Sequence, residues 1–162
     1  RTLAGSAALL MMSPWAAGTI ITLGASHDNT LIETPGGNLS NGAGGSFFAG
    51  TTVTGSIRRS VISFDASSIP AGSIVTSVTL TLHMSRTPTG TEPVTVHRML
   101  ASWGEAGSIG FMGGGNGAPA QTGDATWLYR FYPSTLWATP GGDFDEAPHA
   151  SCSSSRTRRP RR

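Results

Sequence analysis

Residues 58–100 read RRSVISFDASSIPAGSIVTSVTLTLHMSRTPTGTEPVTVHRML, and this stretch decides the fold class. From Ile74 to Met84 the side chains alternate, with Val78, Leu80, Leu82 and Met84 on one face and Ser77, Thr79, Thr81 and His83 on the other. A period of two marks a half-buried strand. Upstream, Ile62 and Phe64 alternate with Val61; downstream, Val94, Val96 and Arg98 alternate with Thr95, His97 and Met99. Corners at Ile69-Pro70-Ala71-Gly72 and Thr87–Pro93 separate these runs, since proline presets φ and glycine accepts the positive values that tight turns demand. Strand, corner, strand, corner, strand reads as antiparallel and all-β.

The pattern extends outward from there. Thr19–Leu23 and Asp28–Glu33 read as short strands, Ser46–Thr54 as another carrying Phe47 and Phe48, and Thr126–Tyr132 as a strand rich in aromatic residues. Gly104–Gly123, with Gly113-Gly114-Gly115-Asn116-Gly117 inside it, reads as loop. The 22 glycines and the charged fraction of 12% suit many short strands, and lysine is absent. Together these predict one domain over residues 19–144, an antiparallel β-sandwich of jelly-roll type. A barrel is the less favoured closure.

Both ends depart from the pattern. Residues 1–18 hold an arginine, an apolar run from Leu3 to Met12, Pro14 and the small residues Ala16-Ala17-Gly18, the layout of a partial secretory signal peptide. The apolar run is shorter than the ~20 residues that cross hydrocarbon, so no membrane span is expected in the mature chain. Residues 145–162 lose all alternation, gather four serines between residues 151 and 155, and end in an arginine- and proline-rich run. This tail reads as disordered, and its composition suggests a lost reading frame or a fragment, which leaves the sandwich incomplete.

Charge and cysteine narrow the function. The pI of 9.3 suggests a nucleic-acid partner, but five of the eleven arginines lie in the last seven residues. Between Thr19 and Ala147, five arginines face nine acids, a net charge of −4. Phosphate binding needs clustered cations, so no nucleic-acid partner is expected. Cys152 is the single cysteine and excludes an internal disulfide.

The residues also resemble a known family. Arg58–Asp65, Ile69–Leu80, Val96-His97-Arg98, Trp103-Gly104-Glu105 and Ala125-Thr126-Trp127 are similar to the DNRLRE-type secreted β-sandwich domain, related to carbohydrate-binding module family 96. The likeness covers about residues 19–144. It implies an exported bacterial module, extracellular or at the cell surface. Family members usually continue past the Gly141-Gly142-Asp143-Phe144 region with further strands, which is the second ground for expecting truncation.

Candidate site residues follow from both readings. Trp103, Trp127 and Tyr129 are candidate sugar-stacking platforms, against the alternative that aromatic rings fill the core. Arg98 is the candidate contact to an acidic sugar, because guanidinium matches carboxylate geometry. Asp28, Asn29 and Asp65 offer hard oxygen ligands near loops and are the candidates for a structural Ca²⁺, the only cofactor considered. The four histidines are scattered, no Gly-x-Ser-x-Gly elbow occurs, the glycine run lacks the Lys-Ser/Thr ending of a phosphate loop, and acids are sparse for a glycosidase pair. No catalysis is therefore expected. The sequence points to an exported, non-catalytic module that binds polysaccharide or serves cell-surface or matrix display alongside other surface proteins. The alternatives are an ancillary domain of a truncated polysaccharide-degrading enzyme, or a purely structural surface protein.

Overall fold

A computed structural model describes residues 18–111 and 113–154. Residues 1–17 of the expected leader and the last eight residues of the tail lie outside this range. Every regular element among the described residues is a strand, and every pairing is antiparallel. The protein is all-β. No helix among them is long and apolar enough to cross a membrane.

The centre of the molecule is a pair of eight-residue strands, β1 (Ala25–Ile32) and β4 (Ile57–Phe64). Their ladder runs from Ile32 opposite Arg58 to Ala25 opposite Phe64, with an irregularity between Ala25 and His27. Between them lie β2 (Leu39–Ser40) and β3 (Gly50–Thr51), and β3 joins the far edge of β4 at Ile57 and Arg58. Three short ladders surround this sheet. β6 (Ala118–Pro119) pairs with β2, and β7 (Tyr129–Phe131) pairs with β8 (Thr135–Leu136). β5 (Pro93–Val96) pairs with β9 (Ala150–Ser153).

β1 is buried on both faces along its second half. Leu31 joins Val61, Ala125, Trp127 and Trp137 in the apolar core, against which Ile57, Met99, Ala101, Trp103 and Leu128 pack. Trp137 is buried without loss because its Nε1–H donates to the Thr126 carbonyl at 2.9 Å. Beside this cluster lies a polar one: Asn29, Ser40, Asn41, Ser108, Asp124 and Thr126 are all essentially inaccessible to water. Such groups are tolerated inside only when bonded. Asn29 Oδ1 accepts from Ser40 Oγ at 2.9 Å and from the Asn41 amide at 3.2 Å. Asp124 accepts from the amides of Ala106 at 2.7 Å and Gln121 at 2.8 Å, and Asn41 Oδ1 accepts from Gly110 at 2.8 Å. These side chains take the place of strand partners for the glycine-rich loops. Gly104 shows how closely the loops approach: its carbonyl accepts from Ala125 at 2.7 Å, and a Cβ there would collide with the Gly123 carbonyl.

Several expectations are corrected. The alternating run Ile74–Met84 lies outside every ladder, with Ile74 89% and Val78 85% exposed. Alternation gives a chain the capacity to pair, but a ladder needs a second edge, and none is presented to it. Thr19–Leu23 is irregular, and the strand expected from Asp28 begins earlier, at Ala25. Thr126–Tyr132 is half turn: the Thr126 hydroxyl accepts from the Leu128 and Tyr129 amides, so the strand begins only at Tyr129. The tail is not irregular throughout, since Ala150–Ser153 forms β9. The ladder is bonded through backbone and is extended at the two ends by His149 N–H to the Val96 carbonyl and Ser154 N–H to the Glu92 carbonyl, with the Ser154 hydroxyl accepting from the Glu92 amide at 2.9 Å. All four β9 side chains are exposed, which is why no apolar period announced the strand.

Candidate functional site

The candidate carbohydrate and metal residues are dispersed over the fold. Trp127 is 8% exposed and belongs to the core. The Arg59 guanidinium sits 5.0 Å from its ring and 4.8 Å from that of Phe144, while Arg59 Nη1 donates to the Gly141 carbonyl at 2.9 Å. Trp103 is half-buried against the same core, with His27 edge-on at 6.5 Å. Tyr129, in β7, packs edge-on against Tyr132 at 5.3 Å. Arg98 is exposed and 4.0 Å from the Asp145 carboxylate, which also meets His149 at 3.3 Å. Hydrogen bonds from the Ala147 amide and from His149 hold the Asp145 carboxyl below the usual carboxylate range. The three aromatic rings do not form an exposed row.

The oxygen ligands are likewise separated. Successive side chains of a strand point to opposite faces, so Asp28 and Asn29 diverge. Asn29 is spent on the polar core. Asp65 follows Phe64, whose partner is Ala25, and so stands about 10 Å along the sheet from Asp28 at ~3.3 Å per residue. Its Oδ1 accepts from the Ser67 amide at 2.9 Å, a turn bond that holds its carboxyl below the usual value. Asp28 behaves oppositely. Burial pushes its carboxyl up, and the negative charge of Glu105 adds to the shift, with Glu105 Oε2 accepting from the Asp28 amide at 2.8 Å. Among the described residues no three His, Cys, Asp or Glu side chains converge as a metal site.

One open cleft does gather chemically useful groups. It encloses about 460 Å³ where the end of β1 meets the β3–β4 connection, and its walls are Glu33, Thr34, Pro35, Thr54, Gly55, Ser56, Trp127 and Leu128. Local bonding fixes its shape. Glu33 Oε2 accepts from the Ile57 amide at 2.7 Å, and Ser56 Oγ donates to the Glu33 carbonyl at 2.6 Å. Thr52 N–H to the Ser56 carbonyl and Gly55 N–H to the Thr52 carbonyl, both at 2.9 Å, close the turn that forms one wall. Behind that wall, burial lowers the Arg58 guanidinium's affinity for its proton, and the Glu33 charge works against the shift. The cleft therefore offers an apolar lining from Trp127, Pro35 and Leu128, the hydroxyls of Thr34, Thr54 and Ser56, and one carboxylate. Trp127 was legible in the sequence as a candidate. Thr54 and Ser56 were not, because isolated hydroxyl residues at a turn carry no periodic or spaced signal.

Comparison with protein-family models, with curated proteins and with solved structures finds no match to this chain.

Proposed function

We propose that this chain is an exported, non-catalytic β-sandwich module of the DNRLRE type that recognises carbohydrate through the cleft between Glu33–Pro35, Thr54–Ser56 and Trp127–Leu128. The observation that carries this reading is the composition of that cleft. Sugars present hydroxyls around an apolar C–H face, and they are held by shallow sites combining an aromatic or aliphatic surface with a few placed polar groups. Trp127 and Leu128 supply the first, and Thr34, Thr54, Ser56 and Glu33 supply the second. In this reading Trp127 serves the core and the ligand at once, while Arg98, Trp103 and Tyr129 stand outside the cleft lining. The sandwich architecture and a location outside the cell belong to the same proposal, supported by the antiparallel all-β fold and by the leader-like residues 1–18.

The test uses the purified full chain against an array of neutral, amino and acidic glycans, with Thr54→Arg as the companion. Thr54 is exposed, so a long side chain there fills the cleft without touching the core. Retained folding with loss of glycan binding in Thr54→Arg supports the site. Binding that Thr54→Arg leaves intact moves it elsewhere, and a folded wild-type chain that binds no glycan removes the carbohydrate reading in favour of a structural surface protein.

A further inference from the structure

We propose that Ile74–Met84 is a pairing strand for a second copy of this chain, joined antiparallel about a two-fold axis through Thr79. The segment is anomalous. No backbone hydrogen bond ties residues 74–86 to the rest of the described chain, although Ser73 N–H to the Pro70 carbonyl at 3.1 Å anchors one end and β5 the other. Its apolar side chains stand in water: Val75 is 59% exposed, Leu80 39% and Leu82 47%, besides Ile74 and Val78. Native proteins protect open strands with charge, proline or a bulge. Between Ser73 and Ser85 there is no Asp, Glu, Lys, Arg, Pro or Gly.

What selects a second copy is the self-complementarity of this run. With Thr79 facing Thr79, Ile74 meets Met84, Val78 meets Leu80 and Thr76 meets Leu82 on one face. On the other face Ser77 meets Thr81 and Val75 meets His83. Pairing through a residue preserves face parity, so the apolar side chains of both copies, Val75 excepted, collect on one side of the ribbon. The nearest charges also avoid each other, since Arg86 faces Gly72 and Asp65 faces Pro93. The contact is isologous and closes at two copies. A ribbon of two strands is only marginally stable in water, so the association is expected to depend on concentration.

The experiment is a concentration series of the full chain in analytical ultracentrifugation, with a reductant present to keep Cys152 from cross-linking. Wild type is expected to move from 16.7 kDa towards twice that mass. Thr79→Lys and Thr79→Glu each place like charges directly opposite across the axis and are expected to stay monomeric where wild type is dimeric. An equimolar mixture of the two is expected to restore the dimer. Thr79 is exposed, so neither substitution disturbs the core, and an unchanged far-ultraviolet spectrum checks this. A wild-type chain that is monomeric throughout, a dimer that Thr79→Lys does not weaken, a mixture that fails to recover, or assembly beyond two copies would each overturn the proposal.

Discussion

Replacing Asn29 by alanine tests the claim that a polar cluster, and not apolar contact alone, holds the loops to the sheet. Asn29 Oδ1 receives the Thr30 amide at 2.7 Å, the Ser40 hydroxyl and the Asn41 amide, and Nδ2 donates to the Ala125 carbonyl at 3.3 Å. The Ser40 hydroxyl can rotate to another acceptor, but the Thr30 and Asn41 amides and the Ala125 carbonyl cannot follow a retreating side chain. An orphaned buried group costs roughly 1–3 kcal/mol, and the long Nδ2 bond sits at the low end of that range, so with two amides and one carbonyl orphaned the loss is about 3–7 kcal/mol. Equilibrium urea unfolding reads it as a fall in midpoint at unchanged slope. Asn29→Asp provides the sharper comparison. It keeps the acceptor, removes the donor and places a charge at a site with no water, so it is expected to destabilise more than alanine at neutral pH. If Asn29 instead served a cation, the aspartate variant would tighten the site and millimolar calcium would restore its stability. A calcium-dependent recovery, or an alanine variant within about 0.5 kcal/mol of wild type, would refute the reasoning.

Four further outcomes follow from the geometry. Asp28 has a folded carboxyl pKa raised above its ordinary value, so its contribution is present below the unfolded pKa and is lost as pH rises through the folded one; Asp28→Asn should therefore gain stability relative to wild type at pH 7 and little at pH 3, measured by urea midpoints at both. Gly104→Ala drives a methyl into the Gly123 carbonyl and the Phe131 ring and is expected to cost about 3 kcal/mol in the same assay. Arg59→Lys loses the planar stacking between Trp127 and Phe144 and should cost about 1–2 kcal/mol, with a shift in tryptophan emission. Cys152 is exposed on β9 and should react stoichiometrically with a thiol reagent without denaturant.

How much of this was written in the sequence depends on where each element finds its partners. β4 was legible because Val61 alternates with Ile62 and Phe64, and that alternation corresponds to a real asymmetry: Val61 is in the core while Phe64 reaches solvent. Ile74–Met84 carries the cleaner alternation and forms no ladder. Side-chain period reports how a strand divides two environments once paired, and it says nothing of whether an edge is present to pair with. β9 is the converse case. Ala150–Ser153 has no period, yet its backbone matches Pro93–Val96 residue for residue, because a ladder needs only amides and carbonyls. The cleft was half legible for the same reason. Trp127 declared itself by its chemistry, whereas Thr54 and Ser56 gain meaning only when Glu33, 23 positions before Ser56 in the chain, bonds to Ile57 and Ser56 and brings the turn to its side. The aromatic and acidic candidates that failed to assemble failed because each already had a structural partner: Trp103 the core and His27, Asn29 the Ser40–Asn41 corner, Asp65 its own turn. In a chain with 12% charged residues the few strong hydrogen-bonding side chains are consumed in tying down glycine-rich loops. Under the proposed reading, recognition is left to hydroxyls, the flank of a core tryptophan and a single carboxylate.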